Sequence, residues 1–196
     1  MDDRESVEAW QGQRPVGIDL AEGTSRPTLF GSEAKTIGFQ NGTGGAEVQV
    51  RVLSMDDDQL LRSAETGLFD QEIQPDLVSE FLGDPRHHLI AAIDEGVVVG
   101  FVSAVDYVHP DKAAELWINE VAVAPEYRGR GIGGQLMAEA LALADRLNCH
   151  QAWVLARAEN RAARALYASV GGTPSAFLMY EFRRSGQTES PTANVP

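Results

Sequence analysis

The run Asn119-Glu120-Val121-Ala122-Val123-Ala124-Pro125-Glu126-Tyr127-Arg128-Gly129-Arg130-Gly131-Ile132-Gly133-Gly134 holds the residues best suited to chemistry. A strand-like apolar stretch stops at a proline, a loop with two Arg and four Gly comes next, and a long helical pattern then begins. Such a loop aims backbone N–H groups, the positive end of a helix and two guanidinium groups at one spot. That combination suits a pyrophosphate, and so a nucleotide-type cofactor. Gly131 and Gly133 matter because a Cβ at either would block the approach of the backbone. Arg128 and Arg130 either pair with phosphates or stand as solvated surface charges.

Two further groups could move protons. Glu120 lies in a strand whose same-parity neighbours are Leu116, Ile118 and Ala122. A carboxylate on that apolar face is costly unless it meets water, a cation or a partner. Partial burial would raise its pKa and make it a better base toward an ammonium group. The alternative is a buried structural ion pair. Asn160, Ala163 and Tyr167 are spaced i, i+3 and i+7 and share one helix face. The small Ala163 leaves room for an extended cofactor arm between Asn160 and the phenol. Tyr167 is either a proton donor with an ordinary pKa of about 10 or a core aromatic with its hydroxyl at the rim.

The elements that must position these groups run from Val48, where Val48, Val50 and Val52 alternate with polar residues as in a half-buried strand. Asp56-Asp57-Asp58 opens a helix expected to reach about Thr66, and Pro75 starts a second that ends near Gly83. Strands are expected over His88–Asp94 and Val97–Val108, joined at Glu95-Gly96, and over Glu115–Val123. After the Gly-rich loop, Leu136, Ala140, Leu143 and Leu147 fall on one helix face, broadened by Met137, Leu141 and Ala144. A buried strand over Ala152–Ala156, a helix over Asn160–Ser169 and a closing strand over Ala176–Arg183 complete the pattern. The expected class is α/β (α+β), a mixed, mostly antiparallel central sheet flanked by helices.

Gly129, Gly131 and Gly134 also spell the dinucleotide fingerprint G-x-G-x-x-G, but the context disagrees. Ala124–Arg128 separate the glycines from the strand, and the next strand ends in Leu155-Ala156-Arg157 rather than in an acid for a ribose. No Gly-Lys-Ser/Thr sequence exists for a nucleoside triphosphate loop. Arg128-x-x-Gly131-x-Gly133, preceded by Val121-Ala122-Val123 and succeeded by an amphipathic helix, instead resembles the acetyl-CoA-binding motif of the GNAT N-acetyltransferase superfamily. Asn160-Arg161-Ala162-Ala163-Arg164-Ala165-Leu166-Tyr167 is similar to that superfamily's Asn-x-x-Ala-x-x-x-Tyr helix. The resemblance spans about Val48 to Arg184 and departs at Gly172, where relatives usually carry a Phe.

This resemblance implies that Val121, Ala122, Val123, the loop Arg128-Gly129-Arg130-Gly131-Ile132-Gly133-Gly134, Asn160, Ala163 and Tyr167 bind acetyl-CoA. It further implies Glu120 as base toward an acceptor amine and Tyr167 as acid toward the leaving thiolate. Within the superfamily, Glu115–Val123, Leu68–Glu72 and Tyr107–Pro110 resemble the type I aminoglycoside 3-N-acetyltransferases, which implies an aminoglycoside acceptor and a role in antibiotic resistance. Asp70, Glu72, Asp76, Glu80 and Asp84 crowd the region that walls the acceptor site in the superfamily. The resemblance suggests that they line a pocket for a cation, with Asp70, Glu72 and Glu120 as substrate-binding residues; the alternative is a solvated acidic helix face. A polyamine or protein N-acetyltransferase is the competing enzyme. A non-catalytic acyl-CoA sensor is the competitor from another class, and retention of both Glu120 and Tyr167 argues against it.

Composition bounds the rest. A net charge of -13 repels nucleic acid and anionic membranes and attracts cations, which agrees with the small cationic amine that the resemblance implies as partner. A homodimer stands as one possible assembly. The single Cys149 permits no internal disulfide, and His87, His88, His109 and His150 show no metal-site spacing, so no metal is expected. Residues 1–46 read as a disordered N-terminal extension, 47–184 as the acetyltransferase-like domain and 185–196 as a disordered tail. The N-terminus lacks the pattern of a secretory signal, which makes the cytoplasm the expected location.

Overall fold

The computed structural model of the protein describes residues 48–182, so the expected extension over 1–46 and the tail over 185–196 lie outside the described residues. The strands are β1 (Gln49–Val52), β2 (His87–Asp94), β3 (Val97–Tyr107), β4 (Glu115–Val123) and β5 (Gln151–Val154). The helices are α1 (Asp58–Arg62), α2 (Pro75–Gly83), α3 (Ile132–Arg146) and α4 (Arg161–Ser169). They form one five-stranded sheet in the order β1-β2-β3-β4-β5, antiparallel from β1 to β4 and parallel between β4 and β5. This is the mixed, mostly antiparallel sheet that the alternating strand patterns predict.

Each face of the sheet buries its own core. Ile90, Ala92, Val102, Leu116 and Ile118 pack against Leu136, Met137 and Ala140 of α3, all almost inaccessible to water. On the opposite face Leu89, Ala91, Val98 and Phe101 are covered by Leu61 of α1, Leu68 of the α1–α2 loop and Val78 of α2. The β2–β3 hairpin closes through Glu95 and Gly96, whose φ angles of 47° and 82° are the left-handed pair that matches strand twist in a two-residue turn.

Two elements differ from expectation. The first helix ends at Arg62 instead of about Thr66, and is preceded by a 3-10 turn at Met55–Asp57. It stops because later donors find other partners: Ser63 Oγ bonds Leu60 O at 2.7 Å and Gly96 O at 2.9 Å. The Glu65 N–H goes to Val98 O at 2.8 Å, tying the loop to β3. The closing strand expected over Ala176–Arg183 is not formed: residues 176–182 carry no regular structure and are exposed. An apolar run has strand propensity, but a strand needs a partner, and among the described residues β5 pairs only with β4.

Candidate functional site

Glu120 owes its setting to a slip in register. Along β3 and β4 the pairs run Val105↔Trp117, Ala104↔Ile118 and then Ser103↔Glu120, so Asn119 is an extra residue on β4. Such a bulge reverses the facing of the residues beyond it. Leu116 and Ile118 therefore share the α3 core with Val121 and Val123, while Glu120 and Ala122 turn to the other face. This corrects the expected alignment of Glu120 with Leu116 and Ile118.

On that face Glu120 lines a cleft of about 370 Å³. The floor is Phe101 and Ser103 of β3. The wall is the loop from Phe69 to Gln74 together with α2, and Phe69 stacks on Phe101 with ring centroids 4.2 Å apart. Burial pushes the Glu120 carboxyl above its ordinary pKa, and the nearby Asp70 carboxylate pushes it the same way. Of the five clustered acids, Asp70 and Glu72 line the cleft with Glu120; Asp76, Glu80 and Asp84 do not. Asp84 instead accepts the Arg86 N–H at 2.9 Å.

On the edge of β4, pairing with β5 ends at Ile118↔Val154. β5 itself ends at Val154, and β4 continues past Glu120 through Val123 with no β5 partner. Val121, Ala122 and Val123 give their side chains to the two cores, which leaves the backbone as what they can offer a cofactor.

The loop after β4 is held at several points. Ala124 N donates to Val99 O at 2.9 Å, Tyr127 Oη to Asp94 at 3.0 Å, and Arg128 Nε to Val123 O at 2.9 Å. The Arg130 guanidinium lies 4.8 Å from the centre of the Tyr127 ring. Gly131 caps α3 with φ 81°, a left-handed conformation that a side chain would strain. A Cβ built on it meets no protein atom within 4 Å, so the space in front of the helix N-terminus is open. The first N–H groups of a helix have no intrahelical acceptor. An open, positively polarised cradle is what a pyrophosphate requires, and the residues present fit one. Gly133 has a packing reason as well: a Cβ there would come within 3.3 Å of Leu166 on α4.

α4 begins at Asn160, whose Oδ1 accepts the Ala163 N–H at 3.0 Å. The side chain expected to flank a cofactor arm is thus also the helix cap. Tyr167, one turn beyond Ala163, packs against the α3-side core, and burial raises its pKa. A Cβ on Gly172 would lie 2.8 Å from Tyr167 O, so a side chain here would need the backbone to shift.

Sequence reasoning missed the apolar wall of the cleft and the Trp117–Trp153 stack, because both depend on which strands become neighbours. Among the described residues no group of three or more His, Cys, Asp and Glu side chains could hold a metal ion. No helix among them is long and apolar enough to cross a membrane.

Comparison with known proteins bears on this geometry. The curated N-alpha-acetyltransferase RimI of Mycobacterium tuberculosis (strain ATCC 25618 / H37Rv) is 31% identical over 126 residues, 63% of this chain and 77% of that protein. An aminoglycoside acetyltransferase from an uncultured soil metagenomic sample, solved with trehalose, superposes with a TM-score of 0.63 at 15% identity, covering 70% of this chain and 95% of that one. The aminoglycoside N-acetyltransferase AAC(6')-Iy in complex with CoA gives a TM-score of 0.60 at 19% identity, covering 74% and 99%. At such identities the two structures speak for the fold alone. The family model described as "Acetyltransferase (GNAT) family" matches residues 56–171, from the first helical turn through the Gly-rich loop to the end of α4, and the chain therefore belongs to the GNAT acetyltransferase family.

Proposed function

We propose that this acetyl-CoA-dependent N-acetyltransferase acts on a primary amine of a small polycationic acceptor, an aminoglycoside being the favoured class. The observation that carries the reading is the open cleft in which Asp70 and Glu72 accompany the half-buried Glu120, on the strand whose free edge runs on beyond the end of β5. A donor along that edge and an acceptor in that cleft would meet beside Glu120.

When bound, acetyl-CoA supplies an acyl group activated as a thioester. The backbone of Arg128–Gly134 would hold its pyrophosphate through the first N–H groups of α3, with the exposed Arg128 and Arg130 adding positive charge. The free edge of β4 at Val121–Val123 and the α4 face at Asn160 and Ala163 would hold the rest. Glu120 takes a proton from the acceptor ammonium, and burial, with the Asp70 charge, raises its pKa and so makes it a stronger base. Asp70 and Glu72 draw the cation into the cleft. Tyr167 keeps its proton on Oη because burial opposes the phenolate, and can give it to a departing thiolate.

The identity to RimI favours a second reading, acetylation of a protein N-terminus. A thiol-release assay with acetyl-CoA and a panel of aminoglycosides, polyamines and N-terminal peptides decides between them. Turnover confined to the peptides would replace the small-molecule reading, and no turnover with tight donor binding would leave a sensor. Homodimer formation belongs to the same proposal: Phe177, Leu178, Met179, Tyr180 and Phe182 are 68–93% exposed, which supports burial against a second copy. Light scattering on the purified chain tests it.

A further inference from the structure

The acceptor face of the sheet continues past Glu120. Ser103 and Val105, two residues apart on β3, share one face; their partners on β4 are Glu120 and Trp117. Trp117 therefore stands roughly 7 Å from Glu120 along the strands, two steps of about 3.3–3.4 Å. Toward β5 its indole stacks on Trp153, with ring centroids 5.7 Å apart and planes 13° from parallel. Toward β3 its neighbour is the short, partly exposed Val105. Trp117 remains 36% exposed.

The stack is also held in place. Trp153 Nε1–H donates to Tyr107 Oη at 2.9 Å, and Tyr107 donates to the buried carboxylate of Glu115. Lys112 Nζ reaches the other oxygen of Glu115 at 2.8 Å; the Lys112 and Tyr107 bonds together hold that carboxyl at a pKa of about 2. A chain of hydrogen bonds thus fixes Trp153, and the exposed Trp117 ring lies stacked on that fixed partner. The face of an indole attracts cations, and a ring that is already immobile gives up little entropy on binding.

We propose that Trp117 is a specificity-determining residue of the acceptor site. It holds a second, amine-bearing ring of an acceptor whose reacting amine lies at Glu120. The inference rests on the reading of Glu120 as the residue that meets the amine. Two features of the surface select this occupant: it lies on the sheet face of the cleft, one same-face step along β3 from Ser103 of the cleft floor, and the carboxylates of Asp70, Glu72 and Glu120 complement a polycation.

The test compares wild type, Trp117→Phe and Trp117→Ala with two acceptors, the two-ring aminoglycoside neamine and the mono-amine cyclohexylamine. Trp117→Ala is expected to raise KM for neamine by about two- to thirtyfold, the range of a cation–π contact, with kcat nearly unchanged. Trp117→Phe should retain most of the affinity, and KM for cyclohexylamine should be the same in all three proteins. Equal shifts for both amines, or none for either, would overturn the subsite and leave the acetyltransferase reading standing. Turnover of N-terminal peptides by wild type without turnover of neamine would do the same. Failure of wild type to acetylate any amine, with acetyl-CoA bound in calorimetry, would instead remove the catalytic reading and the subsite with it. Thermal melts of both variants separate lost packing from lost recognition.

Discussion

Glu120 faces Ser103 across the β3–β4 ladder at the step where the register slips, and this pairing turns its carboxylate into the cleft. Without the extra Asn119, Glu120 would point at α3 and be buried without a substrate to meet.

The first prediction concerns its protonation. A base must be ionised to accept a proton, so kcat/KM should fall as pH drops through the Glu120 pKa, which burial and Asp70 raise. Glu120→Gln should cost about 10²- to 10⁴-fold near neutral pH and recover partly in alkali, where the acceptor deprotonates unaided. Asp70→Asn removes the like charge and should move the acidic limb of the profile to lower pH. A uniform loss across pH in Glu120→Gln would remove Glu120 as the base.

The same shift has a stability consequence of fixed sign. The folded pKa of Glu120 lies above its unfolded value, so its favourable contribution is full below the unfolded pKa and is lost as pH rises through the folded one. At neutral pH the ionised carboxylate therefore opposes folding. Glu120→Gln should melt higher than wild type at pH 7, and the gap should narrow toward about pH 4. A variant that melts lower at pH 7 would mean that the carboxylate has a stabilising partner.

At the donor end, Gly131→Val should weaken acetyl-CoA binding at least about tenfold in calorimetry, since the side chain enters the open space before α3. The left-handed φ of 81° adds a backbone cost of about 1–2 kcal/mol, so a modest fall in Tm accompanies it. Unchanged affinity would move the pyrophosphate elsewhere. Asn160→Ala should cost about 0.5–2 kcal/mol through the lost cap of α4, whereas Asn160→Asp should keep it.

How much of the molecule is legible in the sequence depends on where each cause resides. The Gly-rich loop is legible because a proline, a run of glycines and a helical period are local properties, and α3 begins within that loop as they imply. Glu120 stands out by its charge in an apolar strand, but the face it takes is not legible there: a bulge belongs to a pair of strands and leaves no mark in one of them. The early end of α1 has the same origin, since Glu65 bonds Val98, a residue distant in sequence. The run at 176–182 shows the converse, strand propensity without a strand to pair with. The Trp117–Trp153 stack needed the parallel register of β4 and β5, which no periodicity reveals.

The last prediction separates acids that composition alone lumps together. Asp70 and Glu72 line the cleft, whereas Asp76 and Glu80 are exposed on α2 and do not. If the lining acids attract the acceptor, Asp70→Asn with Glu72→Gln should raise KM for a polycationic amine several-fold and flatten its salt dependence. Asp76→Asn with Glu80→Gln removes the same charge from the surface and should do much less. Salt sharpens the contrast, because the Debye length falls from about 30 Å at 0.01 M to about 3 Å at 1 M. At high salt the distant pair is screened out entirely, while the lining pair still touches its ligand. KM for a mono-amine gives the baseline, and KM for acetyl-CoA must be measured separately because the donor is an anion. If both double variants shift the polycation equally, recognition comes from the overall field of a chain with net charge -13, and the acceptor has no dedicated contact with Asp70 or Glu72.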